Sequence, residues 1–523
     1  MKRNTIILLL SAFAGLAFFT GCKKFLDRKP LTQTLDDLHQ GVLEAQSMGL
    51  YNTFNTYAGL NELPWLDFMS IRDDDAQKGS SATDGAEVNA EFETFQYSKD
   101  DWAPNTFWND HYTLINQANK EIYFADSLKM TDKSSLRNVG EALFFRAFSF
   151  FDLVRTYGEV PLINFYFTNA IDGIKPKSPV ADIYAQIDAD LAKALDYLPQ
   201  TWEVGTSNPY PGRLTKGAVN TLWAQTYLFR ANWAKVVSLC NEVVASNQYS
   251  LLPNFYDIWK DGLDGAGKNS AESILEHQNL QGKNLVPNQG SNWGTSQNVR
   301  QGGAAKEWNL GWGWNTPTQK LVDAWDDSDP RKRMTILYSG QSDGGPTQGG
   351  YGATLPAYNP GPGLDQPYWN KKVYSDPQMR ALTGTIGGGN ASWISHRQLR
   401  YADVILMLAE ASNEMGDGAT AATNLELIRN RASGNLGPAR TIVPKIAFAN
   451  QAQMRTAIKN ERRFEFAMEG YRFFDLVRWG DAQTELGSLG YTNRCRYYPI
   501  PQKAIDLSKV NGVPVLKQNP EWP

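Results

Sequence analysis

The chain has 523 residues, 42% hydrophobic and 20% charged, with 51 basic side chains against 55 acidic ones. That length fits three domains or one large domain with insertions, and it buries a core without disulfide staples. The lack of a basic excess argues against nucleic acid as a partner, and three cysteines exclude both a disulfide framework and a cysteine-rich zinc array.

The amino terminus reads as an address. Lys2 and Arg3 precede an apolar run from Ile6 to Phe19, the length of a signal h-region and too short to span a bilayer well. Thr20-Gly21-Cys22 then places small residues before a cysteine, as in a bacterial lipobox. Residues 1–21 are therefore expected to be a lipoprotein signal peptide, with Cys22 the lipidated residue that anchors the protein without spanning the membrane. Cys240 and Cys495 remain, either paired or as two buried thiols.

Apolar residues recur at helical spacing over Leu136 to Tyr157, Ile183 to Leu198, Ala218 to Val244, Ala402 to Ala432 and Met454 to Trp479, and strand-like alternation is scarce. Several of these stretches read as tetratricopeptide-like pairs. The clearest has Leu408-Ala409-Glu410-Ala411, a turn at Gly416-Asp417, then Ala421, Leu425 and Ile428. A second copy runs from Trp223 to Val243, and a third ends at Ile187, Leu191 and Leu195. The expected fold class is all-α, built from helical pairs.

From Gly282 to Asn390 the chain changes character: these 109 residues hold 19 of the 44 glycines. Glycine disfavours helix and favours turns, so loops dominate there. The stretch also carries Trp293, Trp308, Trp312, Trp314, Trp325 and Trp369, which argues for order, since disordered segments are poor in aromatics. The expected organisation is a helical repeat region over 22–281, an irregular aromatic insert over 282–390, and a second helical region over 391–523 packed with the first.

Eight strings in order then resemble the SusD/RagB family of outer-membrane glycan-binding lipoproteins. They begin with Cys22-Lys23-Lys24-Phe25-Leu26-Asp27 and Trp108-x-x-x-Tyr112-x-x-Ile115-x-x-Ala118-Asn119. They continue through Phe145-Arg146-Ala147, Phe151-Asp152-Leu153-Val154-Arg155 and Gly212-Arg213-Leu214-Thr215-Lys216-Gly217. They finish with Leu399-Arg400-Tyr401-Ala402-Asp403, Glu461-Arg462-Arg463 and Arg472-Phe473-Phe474-Asp475-Leu476. The resemblance implies a cell-surface lipoprotein that captures an oligosaccharide and hands it to a SusC-like TonB-dependent transporter, acting as a lid over that barrel. It implies no catalytic residue and no resident cofactor.

The charged motifs themselves read as scaffold. Glu469, Arg472, Asp475 and Arg478 stand three apart on a helix expected over Glu461 to Arg478, where they pair with one another. Arg146, Asp152 and Arg155 are read the same way.

A flat aromatic ring covers the C–H face of a sugar, while neighbouring polar groups bind its hydroxyls. The resemblance places such a site on two segments, Asp73 to Phe95 and Gly282 to Asn390. Trp293 and Trp308 are the expected platforms, followed by Tyr368 and Trp369. Trp312 and Trp314 are further candidates, although their run before Pro317-Thr318 also suits packing. Arg300, Asp75 and Lys78 are the candidate polar partners. Asp73-Asp74-Asp75 could also offer carboxylates to calcium, though without the spacing of an EF-hand loop, and Asp326, Asp327 and Asp329 likewise. The alternatives are a peptide or other nutrient as cargo, a tetratricopeptide-like interaction scaffold, and a two-carboxylate glycosidase whose acids lie far apart in sequence.

Overall fold

A computed structural model describes residues 43–202, 208, 210–261, 267–279, 291–302, 307–383 and 393–522. The signal segment and Cys22 lie outside the described residues. The chain is mostly helical, with tetratricopeptide-like helix pairs and a few two-stranded sheets.

The first long helices are α1 (Glu44–Thr56), α2 (Trp102–Ser127), α3 (Lys133–Tyr157) and α4 (Val180–Tyr197). α2 starts where the Asp101 carboxylate accepts the Trp102 N–H, and α3 where Asp132 accepts that of Ser135. These caps satisfy donors that a helix start leaves open. Every residue of α3 from Asn138 to Val154 is buried, so it is packed on all sides. Its buried charges are correspondingly paired: Arg146 with Asp190 at 2.6 Å, Asp152 with Arg155 at 2.6 Å, and Glu141 with Arg213. α2 shows no run conspicuous enough to be predicted, because Asn, Gln and Asp interrupt its apolar face.

Two predicted stretches are each a pair of helices. Ala218 to Val244 is α5 (Lys216–Phe229) and α6 (Trp233–Ala245); Ala402 to Ala432 is α7 (Tyr401–Glu414) and α8 (Gly418–Ala432). Gly416 turns between α7 and α8 at φ +86°, a conformation that suits glycine. α6 packs on α7, so one pair stacks upon the next. The expected helix from Met454 to Trp479 is also two, α9 (Gln451–Glu465) and α10 (Arg472–Trp479), broken where Met468 and Gly470 take positive φ. That break re-aims the charges. Asp475 and Arg478 do pair, at 2.8 Å, but Glu469 turns to Lys372 and Arg400, and Arg472 to Asp74. Cys240 and Cys495 are both buried and free.

The loop-rich stretch is closed at its base. It leaves after β2 (Ser273–His277) and returns at β6 (His396–Arg400), and these two strands pair antiparallel. Within it, β4 (Ile336–Tyr338) pairs with β5 (Tyr368–Asn370). β3 (Trp314–Pro317) pairs with β1 (Ala76–Gly79) from the other predicted segment, in the register Ala76↔Pro317 and Gly79↔Trp314.

A buried ionic network ties this stretch to the helices. Arg331 meets Glu461 at 2.6 Å and Glu465 at 3.0 Å, and Lys372 meets Glu469 at 2.6 Å. Arg400 bridges Glu272, Glu465 and Glu469, and Arg431 bridges Glu272 and Glu465. Charges this deep persist only when every one is paired. No helix among the described residues is long and apolar enough to cross a membrane.

Candidate functional site

The structure sorts the predicted site residues by what surrounds them. Trp369 has no exposed surface. Its ring lies among Val299, Leu310, Leu337 and Leu364, and its Nε1–H donates to Ser339 Oγ at 3.0 Å. Trp293 is only 5% exposed and stacks on His396 at 3.9 Å. It ends a column of rings that continues through His277 to Phe54, with Trp65 against its edge. Trp314 is buried, its ring beneath Lys78 and pressed against Gly85, where a Cβ would come within 2.5 Å of the indole. A ring covered on both faces offers no platform, so the expectation for Trp293, Trp314 and Trp369 is corrected: they are core. Tyr368 is half-buried, edge-on to Tyr338, and its hydroxyl donates to Gln319 Oε1 at 2.6 Å.

Two of the polar candidates are internal as well. Asp75 is buried and bound by Arg463 at 2.9 Å, and its neighbour Asp74 by Arg472 at 2.9 Å and Lys320 at 2.6 Å. Asp73 accepts the N–H groups of Asp75 and Ala76. The triplet is a brace between the first segment and α9–α10, with its oxygens engaged by cations and amides rather than open to calcium. Asp329 and Asp327 are likewise engaged, by Arg331 and Lys332, and Asp326 accepts the Ser328 N–H. Among the described residues no group of three or more His, Cys, Asp or Glu side chains is placed to hold a metal. Lys78 is buried, and its ammonium donates to the carbonyls of Gly79, Ser81 and Asp84 at 2.7 to 3.1 Å. It shapes the 79–84 turn from within.

What remains at the surface is Trp312, 37% exposed, with Trp308 half-buried nearby in sequence and Arg300 partly exposed. The two predicted segments meet here. The Ser80 N–H donates to the Gly313 carbonyl at 2.6 Å, directly beside Trp312. Gly313 lies so close to Arg300 that a Cβ would come within 2.8 Å of it. Arg300 reaches from the insert to the other segment, donating from Nη1 to Ser80 Oγ and, at 2.7 Å, to Asp84 Oδ2. Its Nε lies 3.2 Å from Asp365 Oδ2. Gln366 extends the junction by donating to the Ser80 carbonyl at 2.7 Å. Tyr358, 52% exposed, is bridged to Leu364, which is itself bridged to Gln301. Trp308 donates its backbone N–H to the Gln301 side chain at 2.9 Å.

Partial burial would raise the Asp84 carboxyl, but hydrogen bonds from Ser80 and Arg300 outweigh it and hold the group below the usual carboxylate range. Asp84 is therefore an acceptor at neutral pH. The surface thus joins exposed aromatic area to fixed donors and acceptors, the combination that suits a polyhydroxylated ligand. Asp84, Asp365, Gln366 and Tyr358 were not among the predicted site residues. All four fall inside the two predicted segments, but nothing in their local sequence separates them from other loop residues.

Comparison with known proteins follows the same outline. A family model described as "SusD family" matches residues 271–494, and one described as "Starch-binding associating with outer membrane" matches residues 24–228. "SusD-like protein P2" of Formosa agariphila is 27% identical over 454 residues, covering 83% of this chain and 83% of that protein. A solved "Laminarin binding SusD-like protein" is 25% identical with a TM-score of 0.71, over 92% of this chain and 98% of that one. Surface glycan-binding protein A from Bacteroides thetaiotaomicron, solved with laminarihexaose, has the same fold at 20% identity and a TM-score of 0.71, over 92% of this chain and 99% of its own.

Proposed function

The chain belongs to the SusD/RagB family, and on that premise we propose that it is a surface glycan-binding lipoprotein whose site is the junction around Trp312, Arg300 and Asp84. The observation that carries this reading is an exposed tryptophan whose neighbour Gly313 packs on the clamped Arg300, at the seam where the two segments join. Trp312 would stack on the C–H face of a sugar ring, Trp308 and Tyr358 would extend the apolar area, and Arg300, Asp84 and Gln366 would bond hydroxyls. Binding then comes from stacking and hydrogen bonds with no bond broken. The family premise supports anchoring by acylated Cys22 at the outer membrane and delivery of the oligosaccharide to a SusC-like TonB-dependent transporter.

The test is calorimetric titration of residues 23–523 with a panel of oligosaccharides, on the parent protein and on Trp312→Ala and Arg300→Ala. Loss of one stacking platform costs about 1 kcal/mol, roughly fivefold in affinity. Saturable binding that weakens in both variants at unchanged melting temperature supports the site. Binding that neither variant alters moves the site elsewhere, and no glycan binding at all turns the reading toward peptide cargo. Delivery is tested separately, by co-purification of the transporter with the lipidated protein.

A further inference from the structure

We infer that this junction selects uncharged sugar chains and rejects sulfated or uronic-acid ones, an inference that rests on the glycan reading above and names its ligand class. The argument begins with the geometry of Arg300. A guanidinium grips a sulfate or carboxylate best through two parallel N–H bonds along one edge. Arg300 has two such edges facing away from its own stem, Nε with Nη2 and Nη1 with Nη2. Asp365 Oδ2 stands 3.2 Å from Nε as an ion-pair contact, and Asp84 accepts from Nη1 at 2.7 Å. Each edge therefore already has a carboxylate beside it. A neutral hydroxyl fits beside a guanidinium whose charge is met in this way; an anion forking onto either edge crowds the carboxylate already there.

The second cation of the junction is no substitute. Lys78 is buried with its ammonium on three carbonyls. Around these two cations stand Asp84, Asp365, Glu87 and Glu93. Glu87 is exposed, and Asp84 keeps 42% of its side chain exposed, with both of its bonds on Oδ2. Oδ1 is the remaining acceptor of this partly exposed carboxylate. A sugar hydroxyl donates to it; a sulfate or carboxylate has no proton to offer and meets like charge at close range. Discrimination of this kind comes from a repulsive element placed beside the attractive ones.

The experiment uses the lipid-free chain, residues 23–523, and matched ligands. Neutral hexaoses, laminarihexaose among them, are titrated beside their chemically sulfated and C6-oxidised derivatives and beside oligogalacturonate, at about 50 and about 300 mM NaCl. The expected result is binding to a neutral chain with little dependence on salt, and at least about tenfold weaker binding of its charged derivatives. Asp84→Asn should narrow the ratio of neutral to sulfated affinity, with the narrowing largest at low salt. An anionic chain that binds as tightly as any neutral one, and loses affinity as salt rises, overturns the selectivity while leaving glycan binding intact. No binding to either set overturns the glycan reading itself. The salt dependence of the unsubstituted protein decides the matter even where Asp84→Asn fails to fold.

Discussion

The helical body and the loop-rich insert bury aromatic rings by opposite routes. In α3, Phe144, Phe145, Phe148 and Phe151 are buried by the helix around them and its neighbours, at positions that share one helical face. In the insert, Trp293, Trp314 and Trp369 are buried just as deeply but with no period at all. Each is enclosed by a distant partner: His396 for Trp293, the Lys78–Gly85 turn for Trp314, and the cluster from Val299 to Leu364 for Trp369. Trp312 stands two residues from Trp314 and faces solvent. An aromatic-rich loop is therefore mostly its own core, and its binding surface is the small remainder that packing leaves over.

That contrast can be broken experimentally, and the largest effects should come from the joints between the two regions. Arg400→Ala removes the partner of Glu272, Glu465 and Glu469 together. Stranding buried carboxylates costs about 3–5 kcal/mol, so its urea midpoint should fall further than that of any surface variant. Trp369→Ala should cost about as much, about 3–5 kcal/mol, because it leaves a cavity inside the insert. If that variant keeps its stability, the insert is not packed as a core and the comparison fails.

A smaller effect concerns pH. Burial, helped by the hydrogen bond and charge of Asp101, pushes the Glu91 carboxyl up to about 10, and Tyr498 donates to it. The unfolded group titrates near pH ~4.3, so between there and about 10 the folded chain holds the extra proton. Stability from this group is complete below the unfolded value and falls as pH rises through that window, by about 1.4 kcal/mol per unit. Raising the pH from about 6 to about 8 should therefore lower the stability of the parent protein relative to Glu91→Gln by about 3 kcal/mol. Parallel denaturation curves at the two pH values would refute the burial of a neutral carboxyl beneath the first segment.

Histidine gives a spectroscopic check in the opposite direction. Burial pushes His111 and His277 down to about 3, so both stay neutral well below the usual value near pH ~6.5. Their imidazole proton resonances should not titrate between about pH 5 and about pH 7.5. Titration of His277 in that range would mean that the ring column from Phe54 to Trp293 is open. The smallest effect on stability belongs to Trp312→Ala, within about 0.5 kcal/mol of the parent, as for other exposed side chains. Its effect should instead appear in glycan affinity, and a large loss of stability there would reassign Trp312 to the core.

Much of the helical body was legible. The pairs around Gly416-Asp417 and around Trp233 follow from apolar spacing, helped in the first by a turn glycine, signals that act over a few residues. The break inside Met454 to Trp479 was not seen, because the apolar phase carries across the short turn between Glu465 and Arg472. At the site, the two segments were named through the family resemblance, and Trp312 and Arg300 were among the candidates. Asp75 and Lys78 were chosen as exposed polar partners and proved internal, because a charge in a loop looks the same in sequence whether it faces water or a buried partner.

The sequence by itself determined the helical pairs, the place where helix gives way to loop, and the stock of rings and charges available to each region. Those are local properties, set by spacing, composition and turn chemistry. Only the tertiary structure decided which ring faces solvent and which charge is free. Asp75 meets Arg463 across 388 positions, and Arg300 meets Asp84 across 216. Contacts at that separation depend on how the whole chain packs, and it is packing that divides one aromatic-rich loop into a core and an exposed lip.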